Sequence, residues 1–512
     1  QGEAHRIYMV VNDTGNALVD YVGDEDLAGH SFEVWLRTGS VLQHVLEATI
    51  GRELNHVALR TWSGADSDFY VDLARVNTGV NLAPGAQGCA LSVSHPGLAA
   101  GGTCTLDWLA TGMPAGATYE IAANAGMTFA NGAVSGAVGA GNGQVDATLA
   151  AGTTGDVTFS IIVRDSGGVE LCASQRTVEV IDFSVPPELP HPSVTSSAGQ
   201  LAFMREQVLN HPDSLARAGW DAMLRTAFAG LSYSHTPQRT VSVVPSGVNA
   251  SERAYRNDCQ AARCHALQWV VTGDPAHRDK ALEIVNEWGR TYRNMVSTGS
   301  SAQVQLESAW SLPVWLGAAD ILRYHDGGAA NWDPGDMASF HVFMRDLYDH
   351  AKLAMSRNNN WGVSASLAVM AWGAWSDDPA VFETGLANQL DLLERISEAD
   401  GEIAETCRDS WHPQYSVVSW VDSAELARNV GRLDLYEAVF DGQETPRLAV
   451  VLEYFANLML GNTQHPCGGG WAYDYLGQYD RFDNYEVAYN HYINRMDASY
   501  LPVFAEMIEE FW

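Results

Sequence analysis

Two amphipathic helices are predicted by residues 261–288, AARCHALQWVVTGDPAHRDKALEIVNEW. Apolar side chains recur at helical spacing in residues 261–271 and again in residues 280–288. The tetrapeptide Thr272-Gly273-Asp274-Pro275 ends the first helix and starts the second, because glycine suits a helix C-terminus and proline suits the first helical turn. The stretch therefore predicts a helical hairpin.

The same pattern continues towards the C-terminus. Further helices are predicted over residues 303–324, 336–355, 362–375, 379–397, 416–429, 447–460 and 496–510. Long helices in series, joined by short turns rich in Gly, Asp and Pro, do not fit a four-helix bundle. They favour an (α/α) toroid or a solenoid.

The composition changes near residue 185. Before it, β-branched residues alternate with polar ones between Gly, Ala, Thr and Asn turns, which is typical of β-sandwich modules. A chain of 512 residues is also too long for one core. We therefore expect a β-rich module, an immunoglobulin-like sandwich, a Pro-rich linker and a helical domain, at residues 1–85, 86–184, 185–200 and 201–512.

The formal net charge of −33 disfavours nucleic acid and anionic lipid as partners. No apolar run is long enough to span a membrane. Residues 1–5 lack a basic n-region and an apolar h-region, so we expect any signal peptide to have been removed or never present. The acidic residues Asp24-Glu25-Asp26, Asp66 and Asp68 are candidates for structural Ca²⁺ or simply solvated loops.

Seven cysteines stand at positions 89, 104, 172, 259, 264, 407 and 467, without zinc-ligand spacing. Two or three disulfides and at least one free thiol are expected, with Cys89–Cys104 and Cys407–Cys467 as candidate pairs. This usage favours a secreted or periplasmic protein. The alternative is that all seven are reduced and buried.

Amide, guanidinium, imidazole and phenol groups gather in two motifs. These are Asn358-Asn359-Asn360-Trp361 and Arg408-Asp409-Ser410-Trp411-His412-Pro413-Gln414-Tyr415. Neither offers an obvious nucleophile. The set suits a reaction that neutralises a negative charge and moves a proton, such as β-elimination of a 4-linked uronic-acid polysaccharide. Asn and Arg can neutralise the carboxylate, while His and Tyr can act as base and acid.

Each motif also has a purely structural interpretation. The asparagines precede a predicted helix and could form a turn or an N-cap. Arg408 could pair with Glu405 or Asp409, while Tyr415 packs in the core. Pro413 makes a regular helix unlikely there, so a loop at a cleft rim is expected. A third cluster, residues 485–495, contains Tyr489, His491 and Arg495 and is equally consistent with a polar layer between helices.

Several segments, taken in order, resemble the alginate lyase superfamily with an (α/α) toroid fold, which includes family 5 and related alginate and glucuronan lyases. They are residues 191–192, 254–258, 269–274, 281–288, 358–359, 408, 415 and 486–492. The resemblance covers about residues 190–512. It implies a toroid fold and a polysaccharide lyase acting on an anionic polysaccharide, alginate first and glucuronan second.

The resemblance also implies site residues. Asn359 and Arg408 would neutralise the substrate carboxylate, and Tyr415 would protonate the leaving oxygen and in some members also remove the proton. Members often read Asn-Asn-His where this chain has Asn360. We therefore expect His412 to serve as base with Tyr415 as acid, or Tyr415 to serve as both. Substrate binding is expected from Asn358, Asn360, Trp361, Tyr489, His491 and Arg495.

No metal or other cofactor is required by this chemistry, and oligomeric state is not indicated. Two alternatives stay open. One is a glycoside hydrolase that uses two carboxylates, with candidates at Asp258, Glu307, Glu402 and Glu405. The other is a glycan-binding protein without activity, which the absence of histidine at position 360 would explain.

Overall fold

The structure is a computed structural model. It describes residues 88–511 except 125, 131, 133, 140, 301, 463–466, 468–481, 483 and 497, together with the backbone of strands within residues 6–71. The chain divides into two compact units, residues 1–94 with 100–180 and residues 95–99 with 181–512. The first unit is built from strands and the second mainly from helices, which confirms the predicted fold class.

The first part of the β-rich unit contains short antiparallel pairings. Its strands are β1 (Arg6–Asn12), β2 (Leu18–Val22), β3 (Glu25–Leu27), β4 (Ser31–Thr38), β5 (Val41–Thr49), β6 (Val57–Arg60) and β7 (Asp68–Val71). They form the sheets β1-β4-β5, β2-β3 and β6-β7. The predicted Ca²⁺ positions in this part concern side chains outside the described residues. A module boundary at residue 85 stays a prediction.

Residues 88–181 form two antiparallel sheets. Their strands are β8 (Gly88–Val93), β10 (Thr103–Thr111), β11 (Thr118–Ala123), β12 (Met127–Ala130), β13 (Ser135–Ala137), β14 (Asn142–Leu149), β15 (Gly155–Arg164) and β16 (Glu170–Ile181), while β9 (Gly97–Ala99) belongs to the second unit. One sheet has the order β12-β14-β10-β8 and the other contains β13-β11-β15-β16. Along β10 and β15 every second side chain is buried. This alternation is that of a β-sandwich.

The predicted Cys89–Cys104 disulfide is wrong. Cys89 on β8 is bonded instead to Cys172 on β16, which ties one sheet to the other. In the ladder between β8 and β10, Cys89 lies opposite Ala110, six residues along the strand from Cys104. That offset is about 20 Å in a β-strand, far beyond disulfide reach. Cys104, Cys259 and Cys264 are buried free thiols.

The second unit is a series of helical hairpins. Its helices are α1 (Ala198–Asn210), α2 (Leu215–Leu224), α3 (Ala250–Thr272), α4 (Pro275–Thr291), α5 (Ala302–Tyr324), α6 (Pro334–Ala351), α7 (Asn360–Trp375), α8 (Pro379–Ile396), α9 (Trp411–Asn429), α10 (Asp434–Glu437), α11 (Arg447–Met459), α12 (Tyr485–Tyr489) and α13 (Pro502–Phe511). Strands β17 (Thr240–Val243) and β18 (Asn294–Ser297) form a parallel pair.

Two layers of helices arise from these hairpins. Helix α3 packs on α4, α5 on α6 and α7 on α8, while α3, α5, α7 and α9 follow one another as an inner layer. Trp288, Trp315, Trp375 and Trp420 are fully buried in the shared core. A Cβ on Gly373 would lie only 2.4 Å from the backbone nitrogen of Phe382, so glycine allows α7 and α8 to approach closely. The layering is that of an (α/α) toroid.

The helix boundaries in the second unit are set by capping residues, glycine and proline at the helix ends. Gly273 adopts a left-handed φ of 72° after α3, and Asp274 caps α4 with Pro275 in its first turn. Helix α3 begins eleven residues before the predicted start at residue 261, because Asn249 caps it. The predicted linker segment is anchored within the helical unit, where Asp320 accepts hydrogen bonds from the backbone N–H groups of Ser193 and Val194. No helix among the described residues is long and apolar enough to cross a bilayer.

Candidate active site

Helix α9 places the second motif, and its start differs from the prediction. The expected loop around Pro413 is wrong, because α9 begins at Trp411. Proline is tolerated in a first helical turn, where its missing N–H has no intrahelical partner to lose. Asp409 takes over the capping role, since its Oδ1 accepts hydrogen bonds from the backbone N–H groups of Trp411 and His412 at 2.9 and 2.8 Å.

His412 is held by the same carboxylate. Its Nδ1 lies 2.5 Å from Oδ2 of Asp409, and the imidazole is 29% exposed. Burial raises the pKa of Asp409, but hydrogen bonds from the His412 and Trp411 amides and the His412 charge lower it overall. An ionised Asp409 accepts the Nδ1–H, which leaves Nε2 as the ring nitrogen that is directed away from the carboxylate. Asp409 therefore fixes which of the two ring nitrogens is left to accept a hydrogen bond.

Tyr415 follows one turn later and packs among aromatic rings. It stacks on Trp310 with ring centroids 4.8 Å apart, meets Phe482 edge-on at 4.5 Å, and lies 6.3 Å from the His412 ring. Burial raises the pKa of the Tyr415 phenol, the Arg256 charge opposes this, and the Asp409 and Glu307 charges add to it. The phenol therefore carries its proton at neutral pH and can donate it.

Arg256 on α3 belongs to this site although no role was predicted for it. Its Nε donates to Glu307 Oε1 at 2.8 Å and its Nη2 donates to Glu252 Oε1 at 2.7 Å. Both carboxylates are 1% exposed, and the guanidinium carbon lies 5.7 Å from the centre of the Trp310 ring. Arg256 lay in a segment of the resemblance, but nothing in its spacing connected it to Tyr415.

The asparagine motif forms the start of α7, as predicted. The Oδ1 of Asn359 accepts a hydrogen bond from the backbone N–H of Trp361 at 3.1 Å, so its Nδ2 is the donor end of the amide. Asn360 is buried, and its backbone N–H donates to Glu405 Oε2 at 2.6 Å. Asn358 is exposed, and the Arg357 guanidinium carbon lies 4.2 Å from the centre of the Trp361 ring.

Glu405 connects the two motifs. It binds Asn360 through Oε2, and its Oε1 accepts a hydrogen bond from Nη1 of Arg408 at 2.9 Å. The Arg408 side chain is 50% exposed, and its Nε lies 4.0 Å from Oδ2 of Asp409. Both pairings considered in the structural alternative for Arg408 are thus present, yet half of its side chain stays exposed. Asn360 and Arg408 are brought to one carboxylate.

The Cys407–Cys467 disulfide is present as predicted and immediately precedes Arg408. It joins the turn before α9 to the chain that follows α11.

The third cluster lies elsewhere. His491 is 3% exposed and stacks on Tyr436 with ring centroids 3.7 Å apart, and Nη1 of Arg495 lies 3.8 Å from Oε2 of Glu425. Tyr489 packs near Phe504. Glu425 is ten residues beyond Tyr415 on α9, which corresponds to about 15 Å along the helix. The structure therefore does not bring this cluster to Tyr415, and its role in binding stays a prediction.

The carboxylates considered for hydrolysis are occupied by other contacts. Asp258 is fully buried and accepts hydrogen bonds from Tyr233, the Thr236 N–H and the Trp288 indole. Glu307 and Glu405 are buried against arginines, as described above. Glu402 is partly exposed, in the turn before α9.

One group among the described residues offers several metal-ligand atoms within 4.8 Å of one another, namely His235, Glu283 and Glu287. Glu283 and Glu287 are on the outer helix α4, and Glu283 already accepts a hydrogen bond from Lys280 at 3.0 Å. The group is separate from the α9 motif.

The sequence matches the model of a known protein family. The family model described as alginate lyase matches residues 194–465, more than half of the chain. The chain belongs to the alginate lyase family. It is a polysaccharide lyase, as the resemblance implied. The match includes the asparagine motif, Arg408, His412 and Tyr415, but not the third cluster.

Solved alginate lyases have similar structures at low sequence identity. One from Bacteroides ovatus has 12% identity and a TM-score of 0.46, covering 62% of this chain and 96% of that one. Alginate lyase A1-III from Sphingomonas species A1 has 17% identity and a TM-score of 0.45, covering 62% and 92%. A variant of A1-III complexed with a tetrasaccharide has 17% identity and a TM-score of 0.42, covering 53% and 80%. No curated protein matches the sequence.

Proposed function

We propose that this lyase cleaves a 4-linked uronic-acid polysaccharide by β-elimination, with alginate as first candidate and glucuronan as second. The observation that carries the proposal is the pairing of two proton carriers on the first turns of α9. His412 is held by Asp409 with Nε2 as acceptor, and Tyr415 is a protonated phenol one turn away. One can take a proton while the other gives one.

Charge neutralisation is assigned to Arg408 and Asn359. The C5 proton of a uronate is weakly acidic while the neighbouring carboxylate is charged, so the carboxylate must be hydrogen-bonded as negative charge develops. Arg408 offers exposed N–H groups whose charge cannot be lost by deprotonation. Asn359 offers Nδ2 at the N-terminus of α7, where the helix dipole also favours an anion.

The proton balance is then complete within the site. Nε2 of His412 takes the C5 proton, the C4–O4 bond breaks as the C4–C5 double bond forms, and the Tyr415 hydroxyl donates its proton to O4. Asp409 stabilises the imidazolium that results. Asn360 cannot serve as base, because an amide does not titrate and its N–H groups are directed to Glu405.

The remaining parts of the chain fit an extracytoplasmic enzyme. Two disulfides stabilise separate units, one in the β-sandwich and one beside Arg408. We assign the protein to the secreted or periplasmic space on this ground. Residues 1–85 and 86–184 would act as glycan-binding or spacer modules before the catalytic domain.

Ultraviolet absorbance of the unsaturated product tests the proposal. Purified protein is incubated separately with polymannuronate, polyguluronate and glucuronan, and reducing ends are assayed in parallel. Absorbance that rises together with reducing ends on one polymer would establish elimination and identify the uronate. Reducing ends without absorbance would mean hydrolysis and overturn the proposal. Binding without any cleavage of the three polymers would favour the glycan-binding alternative.

A further inference from the structure

The face of α9 that carries Tyr415 continues beyond it. Between Tyr415 and Ala427, Val418 and Asp422 are the partly exposed positions, while the residues between them are buried. Tyr415 and Asp422 are seven residues apart, so they lie on the same side of the helix about 10 Å from each other. An accessible stripe therefore runs along the helix from the proposed acid.

Helix α3 presents a matching pair. Arg256 and Arg263 are also seven residues apart and partly exposed. Arg256 interacts electrostatically with Tyr415, and Arg263 interacts with Asp422. The Arg256–Tyr415 pair and the Arg263–Asp422 pair therefore lie at two levels along the two helices. The second pair is about 10 Å further along than the first.

The two arginines differ in how they are satisfied. Arg256 is bound by the buried carboxylates of Glu252 and Glu307. Arg263 makes no hydrogen bond or ion pair with any residue in the described part of the chain. Among the described residues none occupies its donors, whereas those of Arg256 are directed to Glu252 and Glu307.

Asp422 is the charged neighbour of Arg263, but its oxygens are engaged by another residue. Nδ2 of Asn484 donates to both of them, at 2.9 and 3.0 Å. Burial raises the pKa of Asp422 to about 6, and the Arg263 charge counteracts this. Asn484 has a φ of 81°, unusual for a residue other than glycine, and these hydrogen bonds hold it there.

We propose that Arg263, supported by Asp422 and Asn484, binds the carboxylate of a second uronate in the same substrate chain. A guanidinium with unused N–H groups matches a carboxylate in two parallel hydrogen bonds. The separation from Tyr415 is longer than one sugar ring, so the bound group belongs to a different sugar from the one that is cleaved. The remaining lone pairs of Asp422 would accept hydrogen bonds from sugar hydroxyls. This subsite rests on the proposed function.

Kinetics on substrates of increasing length test the subsite. Arg263→Met removes the charge and keeps the side-chain length, Arg263→Lys keeps the charge, and Arg395→Met on the outer helix α8 is the matched control. For the polymer that the wild type cleaves, Arg263→Met should raise KM about tenfold or more while kcat stays within about twofold, as expected for loss of a charge-assisted hydrogen bond. Arg263→Lys should recover part of this loss.

The shortest oligosaccharide that the wild type cleaves should be handled equally by all four proteins, because it does not reach Arg263. An unchanged KM for the polymer in Arg263→Met would overturn the subsite and leave the proposed function intact. A loss of kcat at every length would also overturn it. Arg263→Gln replaces the Met variant if circular dichroism shows misfolding. A wild type without elimination on any uronan would overturn the proposed function and the subsite together.

Discussion

Residues 408–415 and 485–495 contain the same kinds of side chain, yet the structure surrounds them differently. Each has a histidine, an arginine and a tyrosine. His412 is partly exposed with a carboxylate on one nitrogen, whereas His491 is buried against the face of Tyr436. Arg408 pairs with Glu405 and is 50% exposed, and Arg495 lies 3.8 Å from Glu425 and is 34% exposed, so the arginines differ less than the histidines. The residue types alone therefore do not distinguish a reactive segment from a packing segment.

The difference lies in what each ring nitrogen can reach. Asp409 orients His412 and leaves Nε2 directed away from it, so the ring can accept a proton and return it. Burial and the Arg495 charge lower the pKa of His491 to about 4, and its buried Nδ1 has no hydrogen-bond partner among the residues that the structure describes. His491 is thus neutral near pH 7. We expect changes in the first segment to affect rate and changes in the second to affect stability.

The largest expected effect is that of Tyr415→Phe. Loss of the proposed acid should lower kcat roughly 10²–10⁴-fold, the usual range for a proton-transfer group. Polymer binding should stay nearly unchanged, because the ring still packs on Trp310 and Phe482. Turnover by ultraviolet absorbance and binding by calorimetry check this, with Tyr500→Phe at an exposed position as control. Substantial activity in Tyr415→Phe would remove this residue from the mechanism.

His412→Ala should lower kcat by roughly 10² or more if His412 is the base. Asp409→Asn should show a smaller loss, since it keeps a group at the helix start but no longer holds the imidazole as an acceptor. The pH–rate profiles of both variants are compared with that of the wild type. A still-active His412→Ala enzyme with an unchanged profile would transfer the base role to Tyr415 itself.

His491→Ala should lower stability and leave the rate largely intact. Removing a buried ring from its stack on Tyr436 should reduce the free energy of unfolding by about 2 kcal/mol. Thermal unfolding measures the loss, and kcat is taken well below the lowered Tm. A fall in kcat as large as that of His412→Ala would contradict a purely structural role for residues 485–495. It would support the predicted role of His491 in substrate binding.

The smallest expected effect is on the pH dependence of stability. The folded-state pKa of His491, about 4, lies below the unfolded value near 6.5, so the unfolded chain binds more protons in between. Its contribution to stability is present above about pH 6.5 and is lost as the pH falls towards 4. Tm measured at pH 7, 6 and 5 should therefore decrease less steeply in His491→Gln than in the wild type. Equal slopes would show that His491 is not buried as a neutral ring.

Much of the helical unit could be predicted because its signals are local. The expected helix over residues 303–324 is α5, and the Thr272–Pro275 turn is where α3 ends and α4 begins. Asn359 acts as a cap because its side chain reaches a backbone N–H two residues away. Pro413 misled the prediction because its effect depends on position. The sequence does not show that α9 starts at Trp411, so it does not distinguish a proline in the first helical turn from one that breaks a helix.

Contacts between segments that are distant in the sequence could not be predicted from such local signals. Cys89 pairs with Cys172 across 83 residues, and only strand order makes them neighbours. Arg256 and Trp310 meet Tyr415 because α3, α5 and α9 share the inner layer. The burial of His491 depends on Tyr436, which lies 55 residues earlier in the chain. The candidate site residues within residues 358–415 could be identified from their side-chain types. The residues that contact them could be identified only from the folded structure.

The Cys407–Cys467 disulfide makes the structure beside Arg408 depend on an oxidation step after synthesis. Cys407 is covalently next to Arg408, so the guanidinium that is proposed to receive the substrate carboxylate is fixed only after the two sulfurs have been oxidised. Before that step the turn in front of α9 lacks this covalent anchor, and Arg408 would be held only by its ion pairs with Glu405 and Asp409. We expect a reducing compartment to hold the enzyme in a less active form. Maturation would then coincide with arrival in an oxidising environment.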